Sequence, residues 1–285
     1  EYNTGSGWVA VPNDGVVTVS AGQTEFDVRI ASIDDAVYEG PEDFSVTVTG
    51  IGAVQGSDTG TATIVDDGSG PGPDPDDDRP SVTITDAGTI NEGETANFKV
   101  TLSNASEAET QVELGLNLGD TEAGDLGTLE YNTGSGWVAV PNDGVVTVPA
   151  EQTEFDVRIA SIDDAVYEGP EDFSVTVTGI GAVQGSDTGT ATIVDDGSGP
   201  GPDPDDDRPN VTISDAGIIN EGETAKFKVT LSNASESTVQ VELGLNLGDT
   251  EAGDLGTLEY NTGSGWVTVP NDGVVTVPAE QTEFD

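Results

Sequence analysis

The chain repeats itself at a fixed period. The string EYNTGSGWV occurs three times, at a spacing of 129 residues. Residues 1–67 and 130–196 are identical except at two positions. Consecutive near-identical copies are typical of repeat proteins, in which each unit adds length and contacts its neighbours. The repeat therefore favours a structural or spacer role over a catalytic one.

The composition restricts the partners of the chain. With 7 basic and 55 acidic residues, the formal net charge is −48 at pH 7. Such a surface repels nucleic acid and anionic membranes and attracts cations, so we expect neither nucleic-acid binding nor membrane insertion. The absence of His and Cys removes the usual ligands of zinc and copper and the usual general base. The remaining oxygen ligands suit Ca²⁺.

Two segments with the sequence GSGPGPDPDDD divide the chain. They lack apolar residues and predict semi-extended linkers, because Pro favours extended backbone and the Asp run repels itself. We predict linkers at 68–79 and 197–208, one complete domain at 80–196, the C-terminal part of a repeat at 1–67 and the N-terminal part of a repeat at 209–285. Both partial copies are expected to lack strands, unless pieces of neighbouring molecules complement them.

The complete domain shows the alternation of buried and exposed β-strands. Apolar residues alternate with polar ones around Phe98, Leu114, Val157 and Val175, and Asn-Asp-Gly and Gly-Ser-Gly turns separate these runs. No helical stripe occurs. About seven short strands in such a domain predict an antiparallel β-sandwich of the immunoglobulin type.

Acidic residues gather where the predicted strands end. Alternate loops of a sandwich lie at the same end, so the loops after the first, third and fifth strands and the end of the seventh share one pole. Carboxylates there would repel one another strongly without counter-ions. Since Ca²⁺ takes six to eight oxygen ligands, this pole predicts one or more calcium sites. The residues are Glu92, Asp120, Asp125, Asp163, Asp164, Glu168, Asp195 and Asp196.

Four motifs, NEGE, GD…AGD, DDxxxEGxE and IVDD, carry a resemblance to a known family. Together they resemble the Calx-beta and related immunoglobulin-like repeats of large bacterial surface adhesins of the RTX type. The resemblance implies Ca²⁺ bound by the residues named above, with Asp120 and Asp125 as alternatives for one position. The partial copies supply further candidate ligands, Asp34, Asp35, Glu39, Asp66, Asp67, Glu221, Asp249 and Asp254.

Other features are weaker signals. The aspartate runs at 74–78 and 203–207 begin like an EF-hand loop but lack its Gly and Glu, which favours extra ions between linker and pole over an EF-hand. Trp137 and Tyr131 resemble a sugar-stacking pair, although such residues more often cover a hydrophobic edge. Paired carboxylates can hydrolyse glycosides, yet nothing suggests a substrate cleft, and we predict no enzyme.

These observations predict an extracellular structural extender on a bacterial cell surface. Its partners are the neighbouring repeats of the same chain, Ca²⁺ is its ligand, and no small-molecule substrate is expected. Two alternatives remain: a Ca²⁺-dependent ligand- or glycan-binding module, and an acidic halophilic spacer without specific ion sites.

Overall fold

Every regular element that the structure describes is a β-strand. The computed structural model describes all residues except Gly72, Asp74 and Asp203. Asp74 and Asp203 belong to the aspartate runs of the predicted linkers, so their share of the EF-hand comparison lies outside the described residues. The described part of the chain contains no helix long and apolar enough to cross a membrane. Two compact units are formed, Glu1–Asp78 and Arg79–Asp285.

The first unit consists of short strands with an uncovered apolar face. Its strands are β1 (Tyr2–Asn3), β2 (Asp27–Val28), β3 (Val37–Tyr38), β4 (Glu42–Thr49) and β5 (Ser57–Ile64). β1 pairs with β2 and β4 pairs with β5, both antiparallel. Val46 and Val48 of β4 are 44% and 56% exposed, whereas their counterparts in the second unit, Val175 and Val177, are fully buried.

Residues 80–196 of the second unit form a sandwich of two five-stranded sheets. The strands are β6 (Val82–Ile84), β7 (Gly88–Asn91), β8 (Thr95–Leu102), β9 (Ala105–Ser106), β10 (Thr110–Asn117), β11 (Glu130–Asn132), β12 (Val138–Ala139), β13 (Val145–Val148), β14 (Glu154–Ala160), β15 (Val166–Tyr167), β16 (Glu171–Ile180) and β17 (Ser186–Val194). The sheets have the orders β13-β10-β16-β17-β7 and β12-β11-β14-β8-β6. Only β7 and β17 pair in parallel; the other neighbours are antiparallel. The predicted all-β sandwich is confirmed.

A single hydrophobic core lies between these two sheets. The alternation of β8 and β16 turns Phe98, Val100, Phe173 and Val175 inward, where each is almost completely buried. The rings of Phe98 and Phe173 meet edge to face with their centroids 6.3 Å apart, an arrangement that aromatic pairs prefer. The packed core holds the strand ends in place, and these ends position the loops of the acidic pole.

The linker after this domain folds back instead of extending. Residues Asp196 and Asp206 form an antiparallel bridge, the Gly197 amide donates to the Asp205 carbonyl (2.6 Å), and the Asp207 amide donates to the Asp195 carbonyl (2.7 Å). The prediction of a semi-extended linker was therefore wrong. Backbone hydrogen bonds to the end of β17 outweigh repulsion along the aspartate run, and Gly197 supplies the left-handed turn (φ 75°) that starts the reversal.

The third copy, residues 209–285, is an open half of the same sandwich. Its strands are β18 (Val211–Ile213), β19 (Val229–Leu231), β20 (Ala234–Ser235), β21 (Val239–Glu242), β22 (Glu259–Tyr260), β23 (Val267–Thr268), β24 (Val274–Val277) and β25 (Glu283–Phe284). The 285 residues contain no counterpart of β15, β16 or β17 in this copy. Phe227 is consequently 43% exposed, while its counterpart Phe98 is 2% exposed.

These two phenylalanines allow a matched test of the core. We expect Phe98→Ala to destabilise the complete domain by about 3–5 kcal/mol, because the truncation leaves a cavity in a packed interior. Phe227→Ala, at the same place in the repeat, should cost less than about 1 kcal/mol, since that ring is already partly in water. Native-state hydrogen exchange measures both changes, at the β16 amides for Phe98→Ala and at the β19 amides for Phe227→Ala. Equal losses of protection would contradict the assignment of the core to 80–196.

Candidate metal centre

The acidic pole is the end of the sandwich where β7, β10 and β14 lead into loops and β17 ends. Glu92 follows β7, Asp163 follows β14 and Asp195 follows β17. The Glu92 amide donates to the Val194 carbonyl (3.1 Å), and the Asp164 amide donates to Glu92 Oε1 (3.0 Å). These bonds fasten two loops and the end of β17, which are distant in sequence, to one another.

Two groups of carboxylates at this pole are close enough to share an ion. Within each group, one oxygen per residue lies within 4.8 Å of the others. Site 1 consists of Glu92, Asp163, Asp205 and Asp207, and site 2 consists of Asp125, Glu168 and Glu171. Site 1 thus joins two loops of the domain to the folded-back linker.

Buried carboxylate oxygens without a partner face this region. Glu92, Glu171 and Asp195 are 7%, 6% and 3% exposed, and one oxygen of each makes no hydrogen bond. The second oxygen of Asp195 accepts from the Glu168 amide (2.6 Å). An unpaired buried carboxylate is costly, so its retention in a folded protein calls for a cation or a proton.

The pKa values of the carboxyl groups at the pole are raised by the same burial. Burial, with the charges of nearby carboxylates added, raises the pKa of Glu92 to about 7, of Glu168 to about 8 and of Glu171 to about 7. Burial likewise raises the pKa of Asp195 to about 6. Without a cation, these groups are protonated well above the range of free carboxyls.

The structure brings some of the predicted ligands together and leaves others outside. Glu92, Asp163, Asp125 and Glu168 lie in the two sites. The remaining predicted residues of this domain belong to neither site, namely Asp120, Asp164, Asp195 and Asp196. Asp195 nevertheless acts on both sites, because its charge raises the pKa of Glu92 in site 1 and of Glu171 in site 2.

Two of the carboxylates outside the sites accept hydrogen bonds from backbone amides. Asp164 accepts from the Val166 amide (2.7 Å), and Asp196 accepts from the Ser198 amide (2.9 Å). The hydrogen bonds from Ser198 lower the pKa of Asp196. Asp120 is exposed, and its amide donates to the Asp172 carbonyl (3.0 Å). Of the alternatives Asp120 and Asp125, the geometry selects Asp125 for site 2.

Three members of the sites were not among the predicted ligands. Glu171 stands in the DDxxxEGxE motif, which could have indicated it, because it opens β16 three residues after Glu168. Asp205 and Asp207 lie in the linker, and the sequence offered only a run of three aspartates without showing which of them turn inward.

The first unit repeats part of site 1. Asp34, Asp76 and Asp78, the counterparts of Asp163, Asp205 and Asp207, again lie with oxygens within 4.8 Å. The amide of Glu39 donates to one Asp66 oxygen (2.7 Å), while the other Asp66 oxygen is buried without a partner. The carboxylates of Asp35 and Asp67 accept from backbone amides at Val37 and Ser69 (both 2.9 Å).

The predicted ligands of the third copy are dispersed. All three are exposed and belong to no carboxylate group within the described residues: Glu221, Asp249 and Asp254. Glu221 corresponds to Glu92, which is buried in the complete domain. The difference follows from the open half-sandwich, in which no β17 counterpart fixes the loop.

Trp137 of the predicted sugar-stacking pair contacts an arginine of the protein itself. The Arg158 guanidinium lies 4.1 Å from the centre of the Trp137 ring and also pairs with Glu130 at 2.8 Å. Arg29 stacks on Trp8 at the same distance in the first unit. The stacking is a recurrent cation–π contact and covers one face of each indole.

The donors at the pole fit Ca²⁺. The grouped side chains of both sites are all carboxylates, and the unpartnered oxygens of Glu92, Glu171 and Asp195 leave lone pairs free for a cation. Hard oxygen ligands with several negative charges are the set that Ca²⁺ prefers, whereas soft transition metals select nitrogen or sulfur.

Comparison with known proteins gives a family and a group of structures. Among solved structures, the apo-form Calx CBD1 domain is 20% identical, covers 40% of this chain and 96% of its own, and has a TM-score of 0.30. The calcium binding domain CBD12 of CALX1.1 is 19% identical over 72% of this chain and 73% of its own, with a TM-score of 0.31. The Pseudomonas aeruginosa CupB2 chaperone is 11% identical over 69% and 84%, at 0.25. TM-scores this low carry no argument.

The family match is the decisive finding. The search of curated proteins yields no match. The family described as Calx-beta domain matches residues 7–68 and 75–197, which together make up more than half of the chain. The matched residues include all of site 2 and, from site 1, Glu92 and Asp163. The chain belongs to the Calx-beta domain family.

Proposed function

We propose that this chain is a calcium-binding structural extender, a tandem segment of a long bacterial cell-surface adhesin. The observation that carries the calcium part is the set of buried, unpartnered carboxylate oxygens at the acidic pole, on Glu92, Glu171 and Asp195. Cations at sites 1 and 2 would supply a partner for the carboxylates of Glu92 and Glu171 and would cancel the repulsion with their neighbours, including Asp195.

Ca²⁺ suits these sites better than Mg²⁺. The carboxylates come from separate loops and the linker, so the ligand set is wide and adaptable. Mg²⁺ demands near-ideal octahedral geometry and keeps its water, whereas Ca²⁺ accepts six to eight oxygens in flexible arrangements. Backbone carbonyls and water can complete the shell beside the three or four carboxylates of each site. Calx-beta domains of other proteins bind Ca²⁺, so membership of this family supports the same ion here.

The ion would cross-link segments that are far apart in the sequence. Sites 1 and 2 each combine residues from loops that are far apart in sequence, so an ion binds the folded domain and not the unfolded chain. Binding of that kind stabilises the fold by RT ln(1 + [L]/Kd), about 2.7 kcal/mol per site at 100 times Kd. Extracellular modules bind Ca²⁺ at about 0.1–1 mM, so the surroundings of a cell could set this stability.

The extender role is supported by the repetition of the whole unit. The complete period carries a sandwich, an acidic pole and a linker that returns to that pole, and the first unit repeats the linker bridge and part of the acidic group. Copies that differ at two positions in 67 supply length rather than diverse binding. In this proposal the partners are the neighbouring repeats, the location is the outside of a bacterial cell, and the segment catalyses no reaction.

Two other functions fit less well. A glycan-binding module would use Trp137, but Arg158 already stacks on that ring. A halophilic spacer would carry its acids on a solvated surface and need no buried ones. The burial of Glu92, Glu171 and Asp195 favours specific sites. If Na⁺ or K⁺ stabilised the chain as fully as Ca²⁺ does, the halophilic spacer would be favoured.

Calcium binding can be tested with a matched pair of aspartates. We expect isothermal titration calorimetry to show saturable Ca²⁺ binding, and Asp163→Asn to weaken binding at site 1 by at least about tenfold, because one of four charged ligands is lost. Asp143→Asn, which removes a charge at a hairpin turn outside both sites, serves as the control. Equal effects of the two substitutions would indicate generic charge screening and contradict a specific site.

The stability of the calcium-free chain should fall as the pH rises. Glu92, Glu168, Glu171 and Asp195 have a folded pKa of about 6 to 8, raised from ordinary values of 4.5 or 3.8. The folded state therefore binds more protons, and its stability is full below the ordinary values and is lost through pH 6 to 8. Thermal melting at pH 5 and pH 8 in chelator measures this loss.

Calcium should reverse this dependence. Because Ca²⁺ binds the ionised carboxylates, the melting temperature in saturating Ca²⁺ should rise from pH 5 to pH 7. Glu168→Gln should flatten the slope in chelator, since it removes the group with the highest of these pKa values. The same slope with and without Ca²⁺ would count against ion binding at the pole.

The extender role predicts that calcium limits bending. Small-angle X-ray scattering of the whole chain should show a narrower range of dimensions in Ca²⁺ at about 5 to 10 times Kd than in chelator. The reason is that bound ions hold the linkers to the poles, and at that excess each site stabilises the bound state by about 1–1.4 kcal/mol. Na⁺ at matched ionic strength is the control and should not replace Ca²⁺. Identical scattering profiles in Ca²⁺ and chelator would rule out a calcium-stiffened extender.

A further inference from the structure

The linker presents alternate aspartates to the pole. Asp205 and Asp207 point into site 1, while Asp206 between them pairs with Arg208 through two hydrogen bonds of 2.7 and 2.8 Å. This in-out-in order is the period-2 alternation of extended backbone. It results from the antiparallel bridge between Asp196 and Asp206, which aligns the linker with the end of β17. The three aspartates therefore have two different environments.

A second contact fixes the linker to the domain. Asn91, which is 4% exposed, donates from its side-chain amide to the Pro200 carbonyl (2.8 Å). Gly199 lies so close to the Asn91 side chain that a Cβ at that position would overlap it. The linker thus forms a lid over the pole, and glycine is required where the lid crosses Asn91.

Asp207 of the linker also contacts the following repeat. Asp207 accepts a hydrogen bond of 2.7 Å from the side-chain amide of Asn233, which lies in the third copy. Nearby, β15 pairs in parallel with β20, and the Glu236 amide donates to the Tyr167 carbonyl (3.0 Å). Asp207 is therefore shared between site 1 and the joint to the next repeat.

We propose that Asp205 and Asp207 are calcium ligands supplied by the linker, and that the ion seats the following repeat through the Asp207–Asn233 contact. This inference rests on the proposed calcium binding. Its independent support is Glu92, which is buried, belongs to the same group and keeps one oxygen without a hydrogen bond. The recurrence of Asp34, Asp76 and Asp78 as a group in the first unit shows that the linker aspartates return to their pole in both copies.

The physical argument concerns four like charges. Without a cation, Glu92 and Asp163 repel Asp205 and Asp207, and this repulsion opposes the backbone hydrogen bonds that hold the linker to the domain. A bound ion turns this repulsion into attraction and holds Asp207 where Asn233 can donate to it. Because coupling between two binding events is reciprocal, the docked repeat should in turn raise the Ca²⁺ affinity of site 1.

The aspartate run offers isosteric variants with an internal control. We would compare Asp205→Asn, Asp207→Asn and Asp206→Asn in the whole chain, since each removes one charge and preserves shape. Calorimetry with Ca²⁺ alone should show at least about tenfold weaker binding at one site for the first two variants. Asp206→Asn should bind Ca²⁺ like the original chain, because its carboxylate faces Arg208.

The joint needs a second readout. The chain has no cysteine, so Ser135→Cys and Ser264→Cys, at exposed equivalent turns of neighbouring repeats, allow spin labels and pulsed electron resonance distances. We expect Ca²⁺ to narrow the distance distribution in the labelled chain. Asn233→Ala should leave it broad even in saturating Ca²⁺, while the number of bound ions stays the same and the affinity of site 1 falls less than about threefold.

The outcomes separate this inference from the proposed function. If the unmodified chain binds Ca²⁺ but all three aspartate variants bind it equally well, the linker is not part of the site and only the inference fails. A distribution that is equally narrow in chelator, or unaffected by Asn233→Ala, likewise overturns the seating of the repeat. If the unmodified chain binds no Ca²⁺, the proposed function itself fails.

Discussion

Mutual repulsion among buried carboxylates is the constraint on which the acidic pole depends. Glu92, Glu171 and Asp195 are withdrawn from water with one oxygen each unpaired, and their neighbours carry the same charge. The β-sandwich can hold them there because its core of interlocked valines and phenylalanines fixes the strand ends. The fold therefore supplies the rigidity, and a cation would supply the missing charge. Protons can take that part only where the raised pKa values of the pole allow it.

The near-identical copies show how far context decides structure. The segment that forms buried strands in the complete domain leaves Val46 and Val48 exposed in the first unit. Phe227 is likewise open to water while Phe98 is buried. The local sequence is identical around Val46 and differs around Phe227 only by Lys226 in place of Asn97, so the difference comes from the presence or absence of a facing sheet. Calcium sites follow the same rule, since Glu221 is exposed and ungrouped where Glu92 is buried and clustered.

The loops of the complete domain were predictable from the sequence, whereas the path of the linker was not. Alternating hydrophobicity correctly predicted the sandwich, and the placement of alternate loops predicted a shared pole that contains Asp125, Asp163 and Glu168. The linker was misjudged because composition reports only its self-repulsion. Its backbone bonds to β17 are tertiary, and no composition rule contains them. Asp196 was predicted as a ligand from its motif, but it lies in neither site, and one of its oxygens accepts a hydrogen bond from the Ser198 amide.

The sequence by itself determined the all-β class, the repeat length, the oxygen-only ligand chemistry and the concentration of acids at strand ends. These follow from local periodicity and composition, which need no knowledge of the fold. Only the tertiary structure decided that the linker returns to the pole, that Asp205 and Asp207 face inward while Asp206 pairs with Arg208, and that Asp207 meets Asn233 of the next repeat. The physical reason is that β-pairing register orients each side chain, and register is set by contacts between segments far apart in the chain.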